Sequence, residues 1–232
     1  MPNQLTRRSA LLSVSITSAG LLLPGCVTRR DDDDVTSDDD DTTIADDDDA
    51  TGADCAVTGY QTEGPYYPGE PPVRVDITGG RTGVPLTLDV QVVDVNADCA
   101  PIAGAEVDVW SADAGGNYSG YDDFGTAGEG WLRGQQVTDA QGRVGFVSIV
   151  PGSYPGRSLH VHVKVRADGF DELTSQVYFP DDLAADVLAM PDYTGAPITR
   201  VDDDDFYSPE TMTEATGDTA AGVAATIVVG LA

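Results

Sequence analysis

The sequence predicts an all-β fold, a β-sandwich filling residues 55–232. Three observations carry that expectation. Apolar and polar residues alternate with period two in several short runs, the pattern of strands with two unlike faces. Gly, Pro, Asn and Asp cluster between those runs, as turns require. No long stretch has the 3.6-residue apolar spacing of an amphipathic helix.

Taken in order, Leu86, Leu88, Val90 and Val92 alternate with Thr87, Asp89 and Gln91. Val107 and Val109 do the same with Glu106 and Asp108, and a hairpin is expected near Ala100-Pro101. Residues 143–150 form another short β-like run. Leu159, Val161, Val163 and Val165 alternate with His160, His162 and Lys164. Val177 and Phe179 sit in a further run, and 224–229 is apolar and β-branched at the end of the chain. Turn clusters fall at Gly79-Gly80, 96–98, 115–117 and 139–142. Residues 181–190 read as one short helix. Many short strands separated by turns are the signature of a sandwich.

The chemistry concentrates in P-G-S-Y-P-G-R-S-L-H-V-H, residues 151–162, which holds both histidines of the protein. Residues i and i+2 of a strand share a face, so the two imidazoles of His160 and His162 would stand side by side. Neutral imidazole is the commonest protein metal ligand. An H-x-H pair alone more often marks the polar face of a strand. Tyr154 and Arg157 lie just upstream, however, and a further tyrosine stands at Tyr118 in G-G-N-Y-S. Phenolate with imidazole suits ferric iron better than zinc or copper(I).

At these residues the sequence resembles the intradiol ring-cleavage dioxygenases, the family of catechol and protocatechuate dioxygenases. The resemblance runs through T-E-G-P-Y-Y (62–67), V-D-V-W-S-A-D-A-G-G-N-Y-S (107–119), T-D-A-Q-G-R (138–143), the 151–162 stretch and S-Q-V-Y-F (175–179). It implies a β-sandwich and a non-haem ferric iron, Fe(III), held by Tyr118, Tyr154, His160 and His162. It implies cleavage of a catechol-type ring by O2 between the two hydroxylated carbons, giving a muconate-type diacid. Tyr154 would leave the metal as substrate binds and help take its protons. Arg157 would stabilise negative charge developing on the ring, unless it is spent on a surface salt bridge. Gln176 matches a glutamine near the same site, or is an outward strand residue. Gly64, Pro65 and Tyr66 match a pocket-lining turn, Tyr67 is as readily structural, and Trp110 is expected to pack beneath the site.

The chain departs from the resembled enzymes where only Pro155-Gly156 links Tyr154 to Arg157. A longer loop is usual there, so a more open site that takes bulkier catechols is expected. Two other functions fit the same residues: a transthyretin-like module that binds without turnover, and a domain holding zinc or copper through the H-x-H pair.

The 232 residues carry 40 Asp and Glu against 12 Lys and Arg, a net charge of -28. That balance excludes nucleic acid as an expected partner, since phosphate backbones need cations. Residues 1–26 read as a targeting segment: a twin-arginine pair, Arg7-Arg8, a modest apolar run, then L-P-G-C ending at Cys26. That box resembles a lipoprotein cleavage site, with Pro24 where a small residue is usual, so an exported protein lipidated at Cys26 is expected, periplasmic or on the cell surface; an ordinary cleaved twin-arginine signal or an uncleaved anchor fits the same residues. Residues 27–54, with aspartate runs at 31–34, 38–41 and 46–49, are too poor in apolar side chains to order and read as an acidic tether. Membrane contact would come only through the lipid. Cys55 and Cys99 remain, an even pair that in an oxidising compartment reads as one disulfide. A homo-oligomer is possible, and nothing in the sequence indicates one.

Overall fold

The computed structural model describes residues 55–67 and 69–232. The targeting segment 1–26 with Cys26 and the tether 27–54 lie outside the described residues. Among the described residues, nine strands form two sheets. β1 (Pro85–Asp94), β2 (Ala100–Pro101), β5 (Arg143–Ile149), β8 (Glu214–Asp218) and β9 (Gly222–Leu231) make one. β3 (Glu106–Trp110), β4 (Arg133–Val137), β6 (His160–Arg166) and β7 (Leu173–Tyr178) make the other. A helix, α1 (Asp181–Leu188), follows β7.

β1 is the centre of the first sheet. It runs parallel to β9 on one edge and antiparallel to β5 and β2 on the other. Its alternation does what the pattern predicts: Leu86, Leu88, Val90 and Val92 are buried. They meet Val107, Val109, Val161, Val163 and Val165 from the second sheet in a single core. The second sheet is antiparallel throughout, in the order β4-β3-β6-β7. Residues 73–77 strap the two sheets together at one side, with Val73 bridging to Gln135 of β4 and Asp76 to Val147 of β5.

The polar faces of these strands are not turned to water. β6 is not half-buried, since every residue from His160 to Val165 is buried. Asp108, on the polar side of β3, is buried as well. The reason is that the outer face of the second sheet is itself covered. Residues 59–63 lie on it, with the Gln61 amide donating to the Thr174 carbonyl at 2.8 Å and Lys164 Nζ 2.8 Å from Glu63. Period two therefore separates an apolar interior from a second, polar interior. The latter is closed by charge pairing: Asp108 accepts from Arg166 at 2.7 Å, Tyr67 at 2.8 Å and Gln135 at 2.9 Å. A buried carboxylate is tolerated because all three donors reach it.

The sequence pattern missed β4 and β8. β4 (R-G-Q-Q-V) has no alternation, because Gly134 must leave room for Ile77 of the strap. β8 is a largely exposed edge closed by Gly217 and Gly222, so no apolar face marks it. Cys55 and Cys99 are joined, their Cα atoms 5.9 Å apart, which ties the start of the domain to the β1–β2 turn.

Candidate metal centre

The polar interior is where the chemistry gathers. Antiparallel register sets Trp110 of β3 and Gln176 of β7 on either side of His162, and Tyr178 beside His160. Three strands thus place five candidate side chains on one face with no loop involved. Two loops bring the phenols. In the first, the Asp113 carboxylate accepts from the amides of Gly115 at 2.9 Å and Asn117 at 3.0 Å, folding the G-G-N turn that delivers Tyr118. Gly116 has φ 80°, and a Cβ there would strike the Ser153 carbonyl. That close approach brings the Tyr118 and Tyr154 loops together. In the second, Tyr154 to Arg157 is a tight turn, with Pro155 and Gly156 (φ 78°) central and the Arg157 amide 3.2 Å from the Tyr154 carbonyl.

The four rings converge. Tyr154 Oη lies 2.8 Å from His160 Nε2 and 3.4 Å from Tyr118 Oη. The His160 and His162 ring centroids are 4.9 Å apart, and Tyr118 is 6.2 Å from His162. His160 Nδ1 sits 2.7 Å from the Ser158 carbonyl. A carbonyl only accepts, so Nδ1 carries the hydrogen and Nε2 presents its lone pair to Tyr154. Burial, helped by the nearby Arg157 cation, pushes His160 down to about 3. Burial and then His160 itself hold His162 well below the ordinary histidine range. Both imidazoles are therefore neutral at physiological pH. Burial also raises both phenols, Tyr118 most strongly.

This donor set fits a hard, highly charged cation. Among the described residues no group of three His, Cys, Asp or Glu side chains could hold a metal. What the centre offers is two lone-pair nitrogens and two phenol oxygens. His162 Nδ1 is buried without a hydrogen-bond partner. The phenol proton between Tyr154 and His160 occupies the space between two would-be ligands. Nearby positive charge inverts the local preference and favours phenolate.

Arg157 is mostly buried beside this group and does not end in a surface salt bridge. Its Nη1 is 3.4 Å from Tyr154 Oη, its Nη2 donates to Tyr178 Oη at 3.1 Å and to Gln176 Oε1, and its Nε meets Asp204. Gln176 is fully buried and donates to the Thr62 carbonyl at 3.0 Å, so the outward reading of this residue is wrong. Trp110 packs as expected but directly on the site, stacking on His162 at 4.7 Å and 9°. The 62–67 turn folds over the same ring set. Tyr66 stacks on Tyr118 at 4.7 Å, and Gly64 faces His162 closely enough that a Cβ would stand 3.6 Å from its Cε1. Pro65 is exposed at the turn's tip. Tyr67 is structural, bonded to Asp108 and lying under the Lys164 ammonium at 4.0 Å.

Three residues near the site escaped the sequence reading. Tyr178 could have been found from strand register, two positions beyond Gln176 on one face. Arg133 is buried between the loops, donating to the Tyr66 carbonyl and Ser119 Oγ at 2.7 Å each. Asp204 is one of four consecutive aspartates, and no local pattern separates it from its neighbours.

A family model described as Dioxygenase matches residues 60–204. The chain is 40% identical over 101 residues to the chlorocatechol 1,2-dioxygenase of Pseudomonas sp. (strain P51), covering 35% of this chain and 39% of that protein. It is 30% identical over 170 residues to catechol 1,2-dioxygenase 1 of Acinetobacter lwoffii, covering 66% and 50%. The matches therefore span half or less of these relatives' length. Among solved structures, the intradiol ring-cleavage dioxygenase from Tetranychus urticae aligns with a TM-score of 0.71 at 26% identity, covering 76% of this chain and 95% of that one.

Proposed function

The chain belongs to the intradiol ring-cleavage dioxygenase family, and on that premise we propose that it cleaves catechol-type rings between the two hydroxylated carbons, using O2 and a non-haem ferric ion. Tyr118, Tyr154, His160 and His162 would hold the ion. One observation carries the reading: in a buried centre, Tyr154 Oη stands 3.4 Å from the second phenol oxygen, Tyr118 Oη, and 2.8 Å from the lone pair of the neutral, tautomer-fixed His160 imidazole.

Ferric iron, if held by these four residues, would supply the Lewis acidity that favours the doubly deprotonated catechol and activates it toward oxygen. The chain's own groups do the rest. His160 and His162 stay neutral and keep their lone pairs available. With the ion bound Tyr154 would stand as phenolate, and its Oη would receive one of the two catechol protons while the other passes to hydroxide from solvent; the Arg157 guanidinium at 3.4 Å keeps that oxygen within reach of positive charge. Arg157 also offers a fixed cation to negative charge spreading over the ring, in a site where little water competes. Gly64 and Tyr66 cover the His162 and Tyr118 rings, with Pro65 at the exposed tip of the same turn, and the Trp110–His162 stack prevents the imidazole from turning away.

The test is to load the purified protein with iron and record its metal content, visible spectrum and oxygen uptake on catechol. One iron per chain, a tyrosinate-to-iron visible band and a muconate-type product are expected. A colourless protein that binds catechol without consuming oxygen would overturn the reading. Export and lipidation are part of the same proposal, supported by Arg7-Arg8 and the box ending at Cys26. Labelled fatty acid should enter the wild-type protein and not Cys26→Ser.

A further inference from the structure

The Arg157 guanidinium has its third side occupied by a group outside the metal set. Its Nε donates to both oxygens of Asp204, at 3.1 and 3.0 Å. The Asp204 side chain is wholly buried. Each of its oxygens has a second task. Oδ2 accepts the Ser158 amide at 2.8 Å, and Oδ1 accepts the Phe206 amide at 3.1 Å. The Ser158 carbonyl, in turn, is what fixes the His160 tautomer at 2.7 Å. Phe206 folds back so that its ring lies 4.7 Å from the Arg157 guanidinium carbon.

We propose that Asp204 is a positioning residue for ring cleavage: one carboxylate that fixes the Arg157 cation and, through Ser158, the orientation of His160. The inference rests on the dioxygenase reading above and adds a residue to it. First, a guanidinium has five donors in a rigid fork, and its direction is set once two sides are fixed. Gln176 and Tyr178 hold one side and Asp204 the other, leaving Nη1 to face Tyr154. Second, a buried carboxylate with four accepted hydrogen bonds is a costly arrangement to keep unless it fixes something. Third, Ser158 is the residue between the cation and the first imidazole, so displacement of Asp204 reaches both at once. Asp204 touches no reacting atom and acts only through these neighbours.

Asp204→Asn keeps the shape and one acceptor for the Ser158 amide, but it removes the charge and turns an N–H toward Arg157 Nε. The iron-loaded variant should keep its metal content and fold. Its kcat should fall about tenfold or more, the scale on which small misplacement of a catalytic group acts. KM should change less, and the tyrosinate-to-iron visible band should shift. The decisive comparison is a double-mutant cycle with Arg157→Ala. Because the Asn oxygen still accepts the Ser158 amide, the support for His160 is kept in this variant and only the hold on Arg157 is lost, so adding Asp204→Asn to Arg157→Ala lowers kcat by less than about twofold. Full multiplicative loss in the double variant, or wild-type kcat in Asp204→Asn, overturns the proposal. Should Asp204→Asn fail to fold, Asp204→Glu keeps the charge while displacing the fork, and an unchanged kcat there overturns it equally. A second readout is independent of turnover. In the 15N-labelled full chain before iron loading, the Arg157 Nε–H should be slow to exchange in the wild type and fast in Asp204→Asn. Rapid exchange in the wild type sinks the clamp. Absent catechol turnover by the wild type, with slow exchange intact, sinks the dioxygenase reading and not the Asp204–Arg157 contact.

Discussion

Tyr193 joins two strands with one oxygen. Its hydroxyl accepts from the Val84 amide, just before β1, at 3.0 Å and donates to the Val150 carbonyl, just after β5, at 2.8 Å. Burial, eased by the Val84 bond, pushes this phenol up to about 12. Below pH 10 it is neutral folded or unfolded, so the stability it contributes is fully present. Between pH 10 and 12 the unfolded chain ionises while the folded chain does not, and that contribution drains at roughly 1.4 kcal/mol per pH unit. Tyr193→Phe should cost about 1–3 kcal/mol at pH 7, from a buried amide and carbonyl left without partners. The gap between wild type and variant in denaturant unfolding should then close as pH rises from 10 to 12. A gap that stays constant would mean the phenol is not held neutral. At this scale the four proposed ligands were legible because each belongs to a short motif with its own chemistry. Asp204 was not, because selection of one carboxylate from the run 202–205 is made by the three-dimensional meeting with Arg157 and Ser158. Arg133 was hidden for a similar reason: its partners are a carbonyl and a serine, groups that carry no sequence signal.

At the scale of elements, the strands with alternating faces were readable and the ones without were not, which is why β1, β3 and β6 could be anticipated and β4 and β8 could not. The covered outer face was also unreadable, since polar residues mark a polar environment whether it is water or a buried network. Two elements carry predictions. The Cys55–Cys99 link closes 44 residues of chain, which in a chain-entropy account is worth roughly 2–4 kcal/mol. Replacing both cysteines with serine should lower the unfolding free energy by about that much. It should leave kcat on catechol within about twofold, because Gln61 and Thr62 remain bonded to β7 and still seat the 62–67 turn. A collapse of kcat with normal stability would instead assign the link a part in shaping the pocket. The Tyr154–Arg157 turn is the second. With only the exposed Pro155 and Gly156 between those residues, nothing projects from this turn into the mouth of the site. The value of kcat/KM for an aryl-substituted catechol should therefore stay within about tenfold of that for catechol, the scale of one or two small apolar contacts. Inserting four residues after Pro155 should lower the aryl value selectively. Strict preference for unsubstituted catechol in the natural chain would sink the idea.

For the molecule as a whole, charge is the property that no single site explains. The chain carries -28, while the candidate centre lies beside two cations, Arg157 and Arg133. A neutral catechol feels little of either. A catechol bearing a carboxylate meets long-range repulsion on approach and local attraction on arrival, and the two respond differently to salt. Screening reaches about 30 Å at 0.01 M ionic strength and about 8 Å at 0.15 M. Raising salt through that range therefore removes the distant repulsion and spares contacts made within the buried site. For the carboxylated substrate, kcat/KM should rise about twofold or more, through faster association, while kcat and the values for plain catechol stay flat. The same field favours departure of a dianionic product, so product inhibition should strengthen as salt is added. If kcat/KM for the anionic substrate falls with salt, the two arginines govern its approach and the acidic exterior does not. Paired titrations of the two catechols against sodium chloride, on the same protein preparation, separate the outcomes.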